Sequence, residues 1–135
     1  MTDVKWVFEK AIHLMDEQSE EDGATLTDDT EEYKNRTPSI LTVLCADLYT
    51  YSSGYKASEN GMRPIPPMLT DFENSEIPLD DAICRGILPY GLAAHLLLGE
   101  DNTKASFFNQ KYEELKAAYS RKSTAVWEDI PFQFM

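Results

Sequence analysis

Residues 86–99 read "GILPYGLAAHLLLG", and no other stretch limits the possible folds so strongly. Almost every position after Gly86 is apolar. A helix built from this run is apolar all round, and such a helix is buried all round. The run is too short for the ~20 apolar residues of a membrane span, and His95 and Gly99 interrupt it. Its partners must therefore be other segments of the same chain. The expected helix covers residues 79–98, with Ile83, Ile87, Tyr90, Ala94 and Leu97 along its main face. Pro89 removes one backbone hydrogen bond and should bend it. Gly86 and Gly91 leave room for a neighbouring helix.

Three more helices supply the wrapping. Residues 3–17 carry Val4, Phe8, Ala11, Ile12 and Met15 at helical spacing, and Thr2 or Asp3 is placed to cap the start. A second helix starts near Thr27, with Asp28 and Asp29 in its first turn favouring the helix dipole. Its stripe runs through Tyr33, Thr37, Ile40, Leu41, Leu44, Leu48 and Tyr51. The stripe passes Pro38 in phase, which predicts a kinked helix rather than a new one. A fourth covers 103–119, with Ala105, Phe108, Tyr112, Leu115 and Tyr119 inward. Gly99 is placed to close the preceding helix. At 135 residues the chain has room for one domain and one modest core. The expectation is an all-α compact bundle of about four helices over residues 1–121.

Two segments stand outside that pattern. Residues 52–78 form a long loop rich in Gly, Pro, Ser and Asn between the second and third helices. Asn60 and Gly61 signal a tight turn. Pro64, with Arg63 and Ile65 beside it, enforces extended backbone. Loops of this length in small domains are functional or mobile, so Asn60, Gly61, Arg63, Pro64 and Ile65 are candidates for assembly. Residues 122–135 form the second segment, expected to be an extended tail. It concentrates Trp127, Ile130, Phe132, Phe134 and Met135. Ile130, Phe132 and Phe134 alternate, so an extended strand would show all three on one face, and Pro131 suits an edge or an arm. Such a tail either caps its own core or docks on a neighbouring molecule.

The search for chemistry returns little. His95 sits in an apolar setting and reads as a core histidine bonded to backbone. The stretch "QSEEDGATLTDD" fails as a calcium loop. Anchored on Gly23, it begins with Gln18, ends with Asp29 rather than Glu, and has Thr25 at the apolar position. A solvated acidic turn is the simpler reading. Carboxylate pairs occur at Glu31 and Glu32, Asp80 and Asp81, and Glu113 and Glu114. Helical magnesium-dependent nucleotide pyrophosphohydrolases use such pairs with a third carboxylate one turn on. Asn35 and Cys84 occupy those positions here. No phosphate loop and no nucleophile motif is present. Catalytic residues, metal ligands and cofactors are therefore expected to be none. Cys45 and Cys84 lie far apart, and no secretory pattern opens the sequence. Two buried thiols in a reducing compartment fit best. The net charge of −12 repels phosphate and argues against grasping DNA.

Three stretches together carry a resemblance: "DTEEYKNRTPSILTVLCADLY", "IPLDDAICRGILPYGLAAHLLLGED" and "SFFNQKYEEL". They resemble the head–tail connector, or adaptor, proteins of long-tailed bacteriophages and prophages of Gram-positive bacteria. The likeness covers roughly residues 28–51 and 77–116. It implies a non-enzymatic structural protein that forms a ring of copies beneath the portal protein and receives tail-proximal virion proteins. DNA would pass through without being held tightly, with no membrane involved. The location implied is the head–tail junction of the virion, and the host cytoplasm during assembly. Two other readings stand beside it. One is an acidic DNA mimic that occupies a DNA-binding protein, or a regulatory binding protein, and the lesser one is the metal-dependent pyrophosphohydrolase.

Overall fold

Asp3 starts the first helix. Its carboxylate accepts the Trp6 N–H at 2.8 Å, satisfying one free donor of the opening turn. Helix α1 follows over Val4–Met15, with Val4, Val7, Phe8, Ala11, Ile12 and Met15 buried at intervals of three and four. It ends at Asp16, whose φ of 60° is left-handed. The Asp16 and Glu17 N–H groups return to the His13 and Ile12 carbonyls, closing the helix as a Schellman turn. In the computed structural model the described residues are 1–52 and 66–132, with 121–132 as backbone alone. The expected assembly loop residues Asn60, Gly61, Arg63, Pro64 and Ile65 lie outside the described residues, as do Phe134 and Met135.

The acidic turn after α1 leads into Thr27, where hydroxyls set the next start. The Thr30 hydroxyl accepts the Thr27 N–H at 3.0 Å and donates to the Thr25 carbonyl at 2.7 Å. A single 3-10 turn, Asp28–Thr30, then opens helix α2 over Glu31–Leu48. Helix α2 is continuous through Pro38. A hydroxyl four residues on adds a bond to the proline's own carbonyl, while the carbonyl of Lys34 loses the N–H that Pro38 lacks. Thr42 donates to the Pro38 carbonyl at 2.8 Å and accepts the Leu69 N–H at 2.9 Å.

That last bond belongs to a segment expected to be mobile. Residues 66–80 instead bury Leu69, Phe72, Ile77 and Leu79. The Val4 N–H bonds to the Ser75 carbonyl and the Ile77 N–H to the Thr2 carbonyl, an antiparallel bridge between Asp3 and Glu76. The Phe72 ring stands edge-on to Phe8 at 5.1 Å. Its second half is therefore core, held by apolar burial and paired backbone despite its prolines.

The expected third helix is two helices. Helix α3 covers Asp81–Gly86 and helix α4 covers Leu88–Leu97, with Ile87 between them at φ −115°, ψ −49°. Pro89 lies in the first turn of α4, where its missing N–H removes no intrahelical bond. The proline therefore sits at a start, where a bend was expected. Helix α4 packs against α1, α2, α3 and a fifth helix. Ile83, Ile87, Ala94 and Leu97 are buried and Tyr90 is half-buried. His95 is exposed, which corrects its reading as a core residue. It falls on a solvent-facing side of α4, and its backbone carbonyl accepts from Arg36 at 3.2 Å. Leu98 is 66% exposed.

Gly99 has φ +95° and follows Leu98 in a type II turn closed by the Glu100 N–H to the Leu97 carbonyl. Asp101 then caps helix α5, Asn102–Phe132, through the Lys104 N–H at 3.1 Å. Ala105, Phe108 and Tyr112 are buried, and Leu115 and Tyr119 pack at the core's edge. The backbone stays helical through Phe132, which corrects the extended tail expected from residue 122. Nothing between Arg121 and Ile130 is Gly or Pro, so the helix persists where its apolar stripe stops. The alternation argument for Ile130 and Phe132 applies to extended backbone and lapses with it. All described helices pack as one all-α bundle.

Candidate functional site

The carboxylate pairs are put to structural use or left in solvent. Asp80 precedes α3, where its carboxylate accepts from Ser52 at 3.2 Å and Tyr119 at 3.0 Å, joining the end of α2, the start of α3 and the body of α5. Asp81 accepts from the Thr2 hydroxyl at 2.8 Å, which holds its carboxyl below the usual range. Glu31, Glu32, Glu113 and Glu114 are exposed. Asn35 is exposed and Cys84 buried at the positions where a third carboxylate would complete a magnesium site. Among the described residues, no three His, Cys, Asp or Glu side chains gather to hold a metal ion. No described helix is long and apolar enough to cross a membrane.

The thiols are buried and free. Burial, with the Cys84 sulfur nearby, pushes the Cys45 thiol up to about 12. Burial and the Asp81 and Asp80 carboxylates push Cys84 up to about 12 as well, and it donates to the Leu79 carbonyl at 3.6 Å. Thiols kept protonated in apolar surroundings are poor nucleophiles.

Helices α2, α4 and α5 meet at Gly91. A Cβ there would lie 2.8 Å from Tyr112 Cδ1 and 3.1 Å from Leu44 Cδ1. The Tyr112 hydroxyl donates to Asp47 at 2.8 Å, and Lys116 reaches the same carboxylate at 2.9 Å. Burial, then the Asp47 carboxylate, raises the Tyr112 phenol. These bonds fix how α5 leaves the bundle.

Two surfaces stand out among the described residues. Asp16, Glu17, Glu20, Glu21, Asp22, Asp28, Asp29, Glu31 and Glu32 are all exposed, with no Lys or Arg between Lys10 and Lys34. The second surface is a groove between α1, α4 and α5. Two open depressions meet at Leu14 and Tyr90, one bounded by Phe107, Phe108 and Lys111, the other by Trp6, Lys10 and Arg85. The Lys10 ammonium lies 5.3 Å and the Arg85 guanidinium 5.7 Å from the centre of the Trp6 ring. Phe107 is 62% exposed. Sequence reasoning missed this groove. Its one local signal was Trp6 and Lys10 a turn apart on the outer face of α1. Trp127, Ile130 and Phe132 lie on the distal backbone of α5. Searches of family models, curated proteins and solved structures find no match to this chain.

Proposed function

We propose that the chain is a structural virion protein, a head–tail connector that assembles as a ring beneath the portal of a long-tailed phage or prophage. The observation that carries this reading is the course of α5. Tyr119 is the last described side chain packed on the core, yet the helix continues to Phe132. At ~1.5 Å per residue the part after Ser120 adds roughly 18 Å of helix. Its sequence, "RKSTAVWEDIPF", is rich in large apolar residues. An arm of that kind is suited to joining subunits. The exposed acidic stretch 16–32 supports a wall that lets DNA slide past, since it repels phosphate. Mixing the purified chain with the portal protein of the same phage or prophage, followed by electron microscopy, tests the proposal. A ring of this chain on the portal is expected. A portal that stays bare at saturating concentration overturns it.

The same acidic stretch favours a second reading, a DNA mimic that occupies a DNA-binding protein. Mass measurement at high concentration separates the two. A monomer that displaces DNA from its partner supports mimicry, and a ring supports the connector.

A further inference from the structure

We infer that the groove between α1, α4 and α5 receives residues 127–132 of a second copy of this chain. The inference deepens the connector reading, and rests on it in taking another copy as the occupant. The groove's chemistry describes what fits it. Leu14, Tyr90 and Phe107 offer an open apolar floor. Lys10 and Arg85 stand at one end and Lys111 at the other, with Glu114 the one carboxylate among the described residues that line it. In a chain of net charge −12 this is a local excess of cations. The complementary ligand has large apolar side chains interleaved with carboxylates. Residues 127–132, "WEDIPF", have that composition: Trp127, Ile130 and Phe132 around Glu128 and Asp129, with no cation after Lys122.

The chain's own tail cannot reach the groove. Phe107 and Trp127 lie on one unbroken helix. The groove's last residue on that helix is Glu114, and the 13 residues from there to Trp127 (127 − 114) separate the two by about 20 Å along the axis, at ~1.5 Å per residue. Groove and arm are different patches, so the contact is heterologous. Repeated, it closes into a ring or runs on as a filament, and a ring is what the connector reading requires.

Full-length variants test the inference by sedimentation equilibrium. One carries Phe107→Ser with Lys111→Glu in the groove. Another carries Glu128→Lys with Asp129→Lys in the arm. The parent should gain mass with concentration, less so at high salt because charge pairing is screened. Each variant alone should associate at least about tenfold more weakly, the scale of losing interface anchors. Their equimolar mixture should regain at least a dimer, because one intact groove meets one intact arm. A chain carrying Lys111→Glu together with both arm reversals should recover association, and circular dichroism should match the parent throughout. A parent monomeric at millimolar concentration, variants that associate like the parent, or a mixture that stays monomeric each overturns the groove assignment. If the groove variant fails to fold, the Lys111→Glu reversal and its recovery by the arm reversals decide the matter alone. Failure here with rings still forming on the portal removes the groove and leaves the connector. Association through the groove without any portal ring supports the groove and removes the connector.

Discussion

Gly91 and Gly86 show how far one residue's consequence depends on its neighbours. Both are helical glycines, and an alanine in each should gain roughly 0.5–1 kcal/mol of helix propensity. At Gly86 nothing lies within 4 Å of the added methyl, so Gly86→Ala should be neutral or stabilising. At Gly91 the methyl meets the Tyr112 ring at 2.8 Å. That ring cannot swing aside without losing its bond to Asp47. Overpacking of this kind costs about 1–3 kcal/mol, so Gly91→Ala should destabilise despite the better helix former. Urea unfolding midpoints of the two variants should move in opposite directions, and equal shifts would refute the packing argument. The thiols give a second test at this scale. Cys45 and Cys84 hold their protons in the folded state up to about 12, against an ordinary value of 9.0. Between those values the unfolded chain releases protons that the folded chain keeps, so stability present below pH 9 is lost as pH rises toward 12. Replacing both cysteines by alanine should flatten the alkaline arm of a stability–pH curve, whatever it does to stability at neutral pH. An unchanged slope would mean that the buried tyrosines, whose phenols are also raised, carry the effect.

Helix α4 makes the same point for elements. Leu97 is 3% exposed and Leu98 is 66% exposed. Leu97→Ala should cost about 2–5 kcal/mol, while Leu98→Ala should stay within about 0.5 kcal/mol. Thermal unfolding of the pair measures the difference, and a small loss at Leu97 would make α4 peripheral. The apolar run announced a surrounded helix, because no other arrangement hides so many adjacent apolar residues. It did not say which of three leucines faces out, since that depends on where α2 and α5 stand. Proline signals were similarly ambiguous. Pro38 sits inside a helix and Pro89 opens one, and a missing N–H fits either position when only the sequence is seen. Leu69, Phe72, Ile77 and Leu79 belong to the core without any period, because irregular backbone repeats at no fixed interval. After Arg121 the apolar stripe ends while the helix does not, because propensity alone continues the backbone. The groove of Trp6, Arg85 and Phe107 gathers residues from three elements, so only their packing reveals it.

Across the whole molecule, charge and shape are separated. Nine exposed carboxylates lie within residues 16–32 with no Lys or Arg in that stretch, and Arg36 reaches one of them, Glu32, at 4.0 Å; like charges so dense in the sequence destabilise the folded state. Raising ionic strength from 0.01 to 0.15 M shortens the screening length from ~30 to ~8 Å. The melting temperature should therefore rise with salt, and a flat response would mean that the stretch is already neutralised. The distal part of α5 answers to a different test. Among the described residues every side chain in the core cluster lies at or before Tyr112, and Tyr119 is the last one packed against it. Asp47 and Asp80 hold α5 through Tyr112, Lys116 and Tyr119, and all of these precede residue 121. Deleting residues 124–135 should therefore leave the melting temperature in place and lower the helical signal only by that segment's share. If Trp127, Ile130 and Phe132 dock on a second copy, the truncated chain stays monomeric and fails to enter rings. Burial of such side chains contributes up to about 1.5–3 kcal/mol each, enough for their loss to abolish association. A sharp fall in the melting temperature of a monomer would place those residues in the chain's own core, and the arm would then have no role between subunits.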